Sequence, residues 1–230
     1  MVTLLAGTNV QGQTVDEIVK KHEDAIGGVA AWKKVNSIKD SGDISTNGTD
    51  FPITYNRIAG KGLRIDMEVM GMHGYQILTR SAGWSFYPWG GQTKPEPITP
   101  DAVRQGASQL ELTDHLFDYA AKGYKVEFIG KDDVDGTECL KLKVTTIEGT
   151  ILTDYIDPTT YFLIREVQKV TSNGRGQDFT SNFSNFQKLP EGIIVPMTIG
   201  TLRGEYKITR VEINTITDES IFKPEESKKG

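Results

Sequence analysis

Residues 135–165, DGTECLKLKVTTIEGTILTDYIDPTTYFLIR, decide the fold of this chain. Leu140, Leu142 and Val144 alternate with polar side chains, which is the two-residue period of a half-buried β-strand. A Glu-Gly pair and an Asp-Pro pair punctuate the stretch, and both pairs favour turns. The segment therefore predicts three consecutive antiparallel strands, and it contains no side chain that indicates catalysis.

Strands of the same kind are predicted along most of the chain. In the clearest one, Leu63, Ile65 and Met67 share a face, while the intervening residues are charged. One face therefore meets the interior and the other meets water. Together the segments predict a mainly β protein of the α+β class, built on a long antiparallel sheet. The strands predicted outside the opening stretch cover residues 35–44, 53–59, 63–69, 75–79, 84–87, 124–129, 178–187, 193–200 and 205–214.

Two helical segments interrupt the strands. Residues 14–17, TVDE, form a capping box, and an apolar stripe follows before residues 27–28, a Gly-Gly pair, end the helix. Thr99-Pro100 starts a second helix, with an N-cap residue followed by proline. From there a helical pattern runs to Lys122 with an interruption at Gly106. The second stripe consists of Leu112, Leu116 and Tyr119.

The chain has the size of one large β domain. Its 230 residues include 9 Phe, 8 Tyr and 3 Trp, enough to build a core. We find no linker and no internal repeat in the sequence. We therefore expect one domain over residues 14–222 and a polar tail over residues 223–230. Hairpin turns are predicted at Asp135-Gly136 and Asn173-Gly174.

The first 13 residues resemble part of an export signal. Residues 1–7, MVTLLAG, are apolar, and small or branched residues stand at −3 and −1 of a candidate cleavage site before Gln13. The positively charged region and the longer apolar segment of a complete signal peptide are not present. We expect a signal-peptide remnant, and the alternative is a tail without function. Thr8 stands where a lipoprotein would carry its lipid-bearing cysteine, so a lipoprotein is not predicted.

The composition argues against nucleic acid as a partner and against a transmembrane segment. The net charge of −5 argues against nucleic acid, because nucleic-acid binding requires a clustered basic surface. The sequence contains no apolar run of 18 residues, so no transmembrane segment is predicted.

Few residues suggest chemistry. His22 lies on the stripe of the first helix and is interpreted as a structural residue; His115 and Asp118 have a metal-ligand spacing but no partner motif. Asp132, Asp133 and Asp135 resemble a calcium loop without its final glutamate. Cys139 has no recognisable base. We predict no metal site, no cofactor and no enzymatic activity.

Two features indicate a pocket instead. Trp84, Phe86 and Trp89 belong to an aromatic cluster, and such a cluster either packs in the core or lines an apolar pocket. Arg57 shares strand parity with apolar residues. Its side chain therefore points either to the interior or, from a strand end, to solvent.

Residues 16–41, DEIVKKHEDAIGGVAAWKKVNSIKDS, and 83–91, GWSFYPWGG, resemble the outer-membrane lipoprotein-sorting proteins, the superfamily of the periplasmic carrier LolA and its receptor LolB. The opening stretch and residues 192–196 share the resemblance, which covers nearly the whole chain. It implies an incomplete antiparallel β-barrel whose mouth is covered by helices, around an apolar cavity for acyl chains. In the carriers an arginine of an early strand contacts the lid. Arg57 stands at the matching place, followed by Ile58 where the carriers have proline.

The leading functional hypothesis is a periplasmic protein of the Gram-negative cell envelope that binds or carries a lipid, a lipoprotein acyl chain or another hydrophobic ligand. The alternatives are an envelope accessory or structural protein that binds a protein partner, and a metal-free enzyme that uses the same cavity. The residues predicted to bind the ligand, in the cavity or its lid, are Arg57, Leu63, Ile65, Met67, Trp84, Phe86, Trp89, Leu112 and Leu116.

Overall fold

The computed structural model describes residues 13–172 and 175–225. The predicted signal-peptide remnant, apart from Gln13, the turn at Asn173-Gly174 and the last five residues of the tail lie outside these ranges. The strands are β1 (Ser37–Thr46), β2 (Thr49–Ile58), β3 (Gly62–Val69), β4 (Met72–Thr79), β5 (Gly83–Phe86), β6 (Glu96–Pro97), β7 (Lys125–Val134), β8 (Thr137–Thr145), β9 (Ile151–Ile156), β10 (Leu163–Ser172), β11 (Arg175–Lys188), β12 (Ile194–Thr201) and β13 (Gly204–Ile213).

All of these strands belong to one antiparallel sheet. Their spatial order is β6-β5-β4-β3-β2-β1-β13-β12-β11-β10-β9-β8-β7, so the first long strand pairs with the last. β6 and β7 lie at the two edges, and the curved sheet is therefore an open barrel. The predicted fold class, a mainly β protein with few helices, is confirmed.

The opening stretch forms the strands that its alternation predicts. Residues 137–145, 151–156 and 163–172 are β8, β9 and β10, and the β7–β8 turn lies at Asp135-Gly136 as expected. Both turn residues have positive φ, 51° and 89°, which a two-residue type I′ hairpin requires. On β8, Leu140, Leu142 and Val144 are buried.

The helices are α1 (Val15–Ala25), α2 (Val29–Trp32) and α3 (Pro100–Gln105), and a 3₁₀ turn (Ala107–Leu110) follows α3. The capping box of α1 is present: the Glu17 backbone N–H donates to Thr14 Oγ1 at 3.2 Å, and the Thr14 N–H donates to Glu17 Oε2 at 3.0 Å. Thr99 caps α3 as predicted. We call α1, α2 and residues 100–123 the lid.

The expectation of a helical segment reaching Lys122 is wrong. Residues 111–123 form a loop of turns and bends, because Asp114 accepts hydrogen bonds from the backbone N–H groups of Leu116 and Phe117 and so closes a local turn. Asp118 has a φ of 51°, which no helix accommodates. Before α3, Glu96-Pro97 pairs with β5 as a short edge strand, although this proline-rich segment was not predicted to be a strand.

The lid packs on the concave face of the sheet at three places. Ile18 and Val19 of α1, with Leu116 of the loop, contact the buried face of β8 to β10. Trp32 of α2 lies against β1, and α3 packs through Val103 on β3 and β4. These contacts cover one end of the concave face and leave the other end, at the β12–β13 turn, uncovered.

The convex face of β3 to β5 has a core of its own. Tyr75 and Ile77 are buried there beside Trp84, under the C-terminal 3₁₀ turn (Glu219–Phe222). Gly62 is required at its position, because a Cβ atom would lie 2.5 Å from the ring of Phe222.

Candidate ligand-binding site

The concave face carries two adjoining cavities, here called the inner and the outer compartment, that share part of their lining. The inner compartment has a volume of about 420 Å³ and lies under the lid. Its wall is mostly apolar, with side chains from both α1–α2 and the sheet. The residues that characterise it are Ile26, Trp32, Ile38, Leu63, Leu112, Leu163, Phe183, Phe186, Val195, Ile208 and Val211.

The outer compartment has a volume of about 850 Å³ and opens at the end of the sheet near the β12–β13 turn. It is more polar than the inner compartment. Its walls come from β1, β2, β4, β5 and β10 to β13, and α3 closes one side. Its characteristic residues are Ile44, Gln76, Leu78, Ser85, Tyr87, Ile98, Gln168, Phe179, Thr201 and Arg203. Both volumes fall in the range of roughly 300–1,000 Å³ that is typical of small-molecule sites.

Polar side chains mark the junction between the two compartments. Arg57 of β2 donates to Asp40 Oδ2 of β1 at 2.6 Å, and the Tyr206 hydroxyl donates to Asp40 Oδ1 at 2.9 Å. Asp40 is 3 % exposed, so this ion pair lies inside the barrel. Desolvation and the neighbouring Asp40 carboxylate raise the pKa of Tyr206. The Arg57 Nε atom is buried without a partner in the described part of the chain.

A histidine–aspartate pair joins α1 to the loop of the lid. His22, 1 % exposed, contacts Asp114 Oδ2 through Nε2 at 2.9 Å and the Tyr161 carbonyl oxygen through Nδ1 at 2.8 Å. Both partners are acceptors, which favours the doubly protonated form of the ring. Burial opposes the charge, but the Asp114 carboxylate outweighs it and raises the pKa of His22. The pKa of Asp114 is lowered in return.

A second pair joins the same loop to the sheet. His115 Nδ1 lies 2.9 Å from Glu166 Oε2 of β10, which raises the pKa of His115 to about 9 despite its burial. Asp154 of β9 is fully buried beside these groups, and neither of its oxygens has a hydrogen-bond partner among the described residues. Desolvation and the Glu166 carboxylate raise the pKa of Asp154 well above its usual value. We call His22, Asp114, His115, Glu166 and Asp154 the clasp.

The arrangement of the clasp suits a structural role, joining α1, the loop of the lid and the sheet, better than it suits proton transfer. The raised pKa of each imidazole favours its protonated form, which has no free lone pair to accept a proton from a substrate. Burial raises the pKa of the Cys139 thiol, which disfavours the thiolate. Across residues 13–172 and 175–225, no three His, Cys, Asp or Glu side chains group as metal ligands would.

The structure places some of the predicted site residues on the cavity wall. Arg57 lines both compartments, and Leu63 and Leu112 line the inner one. Ile65 packs beside Leu63 under α3, next to the wall. Met67 shares the concave parity of β3, further along the strand. Trp89 lies at the rim, where its ring covers Gly74 and is 5.4 Å from the ring of Tyr87.

Three of the predicted residues lie elsewhere. Trp84 and Phe86 point to the convex face, where they pack with Tyr75. The alternation of β5 brings Ser85 to the cavity, so the aromatic residues on either side of it must face away. Leu116 is fully buried between α1 and the sheet and does not reach the cavity.

Sequence reasoning missed most of the polar residues of the site. Asp40 follows Ile38 on the inward face of β1, and Asp154 lies between Leu152 and Ile156 on the buried face of β9. A charged residue at an apolar position of an alternating strand was the available signal, and it was applied only to Arg57. The pairing of His115 with Glu166, 51 residues later, has no signal in the sequence.

In the part of the chain that the structure describes, no helix has the length and apolar character needed to span a membrane.

Comparison with known proteins identifies the fold. No family model matches the sequence, and no curated protein is similar to it. Among solved structures, an outer membrane lipoprotein-sorting protein domain from Vibrio parahaemolyticus superposes with a TM-score of 0.55 at 14% identity, covering 91% of this chain and 97% of that one. A LolA superfamily protein from Nitrosomonas europaea superposes with a TM-score of 0.56 at 13% identity, and the match covers 92% of this chain and 98% of that one. A DUF1329 family protein from Desulfovibrio piger superposes with a TM-score of 0.53 at 14% identity, and the match covers 89% of this chain and 97% of that one.

These similarities extend over almost the full length of each chain. They confirm the LolA-like open-barrel fold that the sequence resemblance implied. At such low identity they show the fold alone.

Proposed function

We propose that this protein binds and carries a hydrophobic ligand, a lipid or a lipoprotein acyl chain, in the cavity of its open barrel. The observation that carries the proposal is the inner compartment, an apolar space of about 420 Å³ between the lid and the sheet. An open barrel with a solid core would have no such space. The inner compartment adjoins the outer one and shares lining residues with it, so in this proposal a ligand enters from the open end.

Burial of an acyl chain supplies enough free energy for useful binding. About ten methylene groups would contribute about 8 kcal/mol, which corresponds to micromolar affinity before the cost of restricting the chain. The binding residues in this proposal are Leu63 and Leu112 on the wall and Arg57 at the junction, with Ile65 and Met67 beside them. Trp89 belongs to the rim.

The proposed location is the periplasm, where a carrier would take up ligand from one membrane and release it at another. A solved structure with this fold comes from an outer membrane lipoprotein-sorting protein domain, which supports the proposal. Fractionation of cells that express the natural gene, followed by N-terminal sequencing, tests it. A mature N-terminus near Gln13 in the periplasmic fraction is expected, and a cytoplasmic protein that retains Met1 would contradict the assignment.

Displacement of a fluorescent fatty acid tests the binding function. Ile199 of β12 lines both compartments, and an Ile199→Trp substitution would fill the space between them. The neighbouring Thr198 pairs with Lys207 on the opposite face, so Thr198→Trp is the matched control.

The parent and Thr198→Trp are expected to bind the probe alike, whereas Ile199→Trp is expected to bind at least about tenfold more weakly. Circular dichroism and thermal unfolding verify that both variants fold. Failure of the folded parent to bind the probe, or equal binding by both variants, would refute the proposal.

A further inference from the structure

Glutamine side chains surround the outer compartment. Five of the eight glutamines among the described residues line it, and they come from five elements: β4, β10, β11, α3 and the 3₁₀ turn that follows α3. Only one of the five also lines the inner compartment. The five are Gln76, Gln105, Gln109, Gln168 and Gln177.

Side-chain amides are neutral groups that donate and accept hydrogen bonds at the same time. A hydroxyl group has the same dual character. Several amides that line one compartment therefore match a ligand part that carries several hydroxyl groups. They match a methylene chain poorly, because a chain would leave the amides without partners.

The charges in the outer compartment do not favour an ionic ligand. Asp40 and Arg57 neutralise each other at 2.6 Å. Arg203 is the remaining charged residue of the described lining, and it lies on the exposed β12–β13 turn at the rim. An anion or a zwitterion would therefore find few fixed opposite charges in the interior of the compartment.

Gln76 is held in an orientation that suits a ligand. The Tyr87 hydroxyl donates to Gln76 Oε1 at 2.9 Å, which fixes the amide and leaves its NH₂ group as a donor. The ring of Tyr87 is itself supported by Trp89. The amide is thus positioned before any ligand arrives, which reduces the entropy lost on binding.

We propose that the ligand is an amphiphile with an uncharged, hydroxyl-rich head group, such as the saccharide of a glycolipid. The glutamines of the outer compartment bind the head group, while the acyl chain occupies the inner compartment. This inference rests on the proposed function, since it requires the inner compartment to hold a chain.

Three amphiphiles with the same 12-carbon chain test the inference. Dodecyl maltoside carries an uncharged disaccharide, dodecylphosphocholine a zwitterion and dodecanoate an anion. Each is used below its micelle-forming concentration to displace the fluorescent fatty acid. Dodecyl maltoside is expected to displace the probe at a concentration at least about tenfold lower than either of the others, as two or more amide contacts of about fivefold each would give.

Single glutamine variants assign this preference to the outer compartment. Gln76→Leu and Gln168→Leu keep the side-chain size and remove the amide. Each substitution is expected to weaken the binding of dodecyl maltoside about fivefold and to leave the affinity for dodecanoate unchanged. Gln187→Leu is the matched control, because Gln187 is exposed on the outer side of β11.

The outcomes separate this inference from the proposed function. Equal displacement by the three amphiphiles, or preference for a charged head, would overturn the head-group assignment while leaving a lipid binder. No displacement by any of them would count against the binding function itself. Calorimetric binding of free maltose as tight as that of dodecyl maltoside would assign the compartment to saccharides without a chain and would also overturn the inference.

Discussion

The covered end and the open end of the concave face are built from different residues. At the covered end, apolar side chains of the lid pack against β8 to β10, and the clasp adds two ion pairs in the interior. At the open end, glutamines and tyrosines line a wide space, and the side chain of Leu202 is 76% exposed. The comparison indicates that stability is concentrated under the lid and recognition at the mouth.

The largest effect is expected from the core of the covered end. Leu116→Ala removes a fully buried side chain between α1 and the sheet, and we expect it to lower the free energy of unfolding by about 2–5 kcal/mol. Leu202→Ala, the same change at the open end, should cost less than about 0.5 kcal/mol. Urea unfolding measures both. Similar losses of unfolding free energy in the two variants would show that stability is not concentrated at the covered end.

The clasp gives the next largest effect. Asp114→Asn weakens the contact with His22 and the turn at Leu116, so a loss of about 2 kcal/mol is expected. The matched control is Asp24→Asn, which removes an exposed ion pair with Lys20 and should change stability by less than about 1 kcal/mol. The clasp would be unimportant for stability if the two variants unfolded at the same urea concentration.

The clasp also makes stability depend on pH. The folded pKa of His115, about 9, exceeds its unfolded value of 6.5, so its contribution is complete below pH 6.5 and is lost as pH rises towards 9. The raised pKa of Asp154 acts in the same direction, beginning above pH 3.8. The free energy of unfolding is therefore expected to fall with rising pH across both windows.

Asp154→Asn isolates the acidic part of this dependence. The variant cannot ionise at this position, so its stability relative to the parent should grow between pH 4.5 and pH 5.5, by at most about 1.4 kcal/mol for one proton. Unfolding curves at the two pH values provide the measurement. A constant difference between variant and parent would show that Asp154 ionises in the folded protein as it does in the unfolded chain.

The smallest effect on binding is expected from the convex face. Trp84→Phe should cost about 1 kcal/mol of stability, because the indole packs beside Tyr75 and Ile77. The affinity for the fluorescent fatty acid should change less than twofold, since the side chain points away from the cavity. A tenfold loss of affinity at unchanged stability would show that Trp84 contributes to the binding site.

Local sequence patterns predict the sheet well and the lid poorly. The alternation around Leu140 and the turn at Asp135-Gly136 depend on neighbouring residues only, so both predictions are confirmed. The loop at residues 111–123 is held by contacts with distant elements, among them the pair of Asp114 with His22. Apolar spacing alone therefore gave a false helix there.

Local sequence patterns also predict only part of the candidate site. Strand parity indicates which residues share a face, and it placed Leu63 together with Ile65 and Met67 correctly. Parity does not say which face of a strand lines the cavity. Trp84 and Phe86, which were predicted to bind the ligand, pack in the convex core. The convex core that covers these residues depends on Phe222, more than 130 residues away in the sequence.

The central claim is that the covered end of the barrel holds a ligand chain. Organic extraction and mass spectrometry of gently purified protein test this claim most directly, with Ile199→Trp and Thr198→Trp processed in parallel. We expect a lipid in stoichiometric amount from the parent and from Thr198→Trp, and a large depletion in Ile199→Trp. Recovery of no lipid from the parent, or of the same amount from all three folded proteins, would contradict the account.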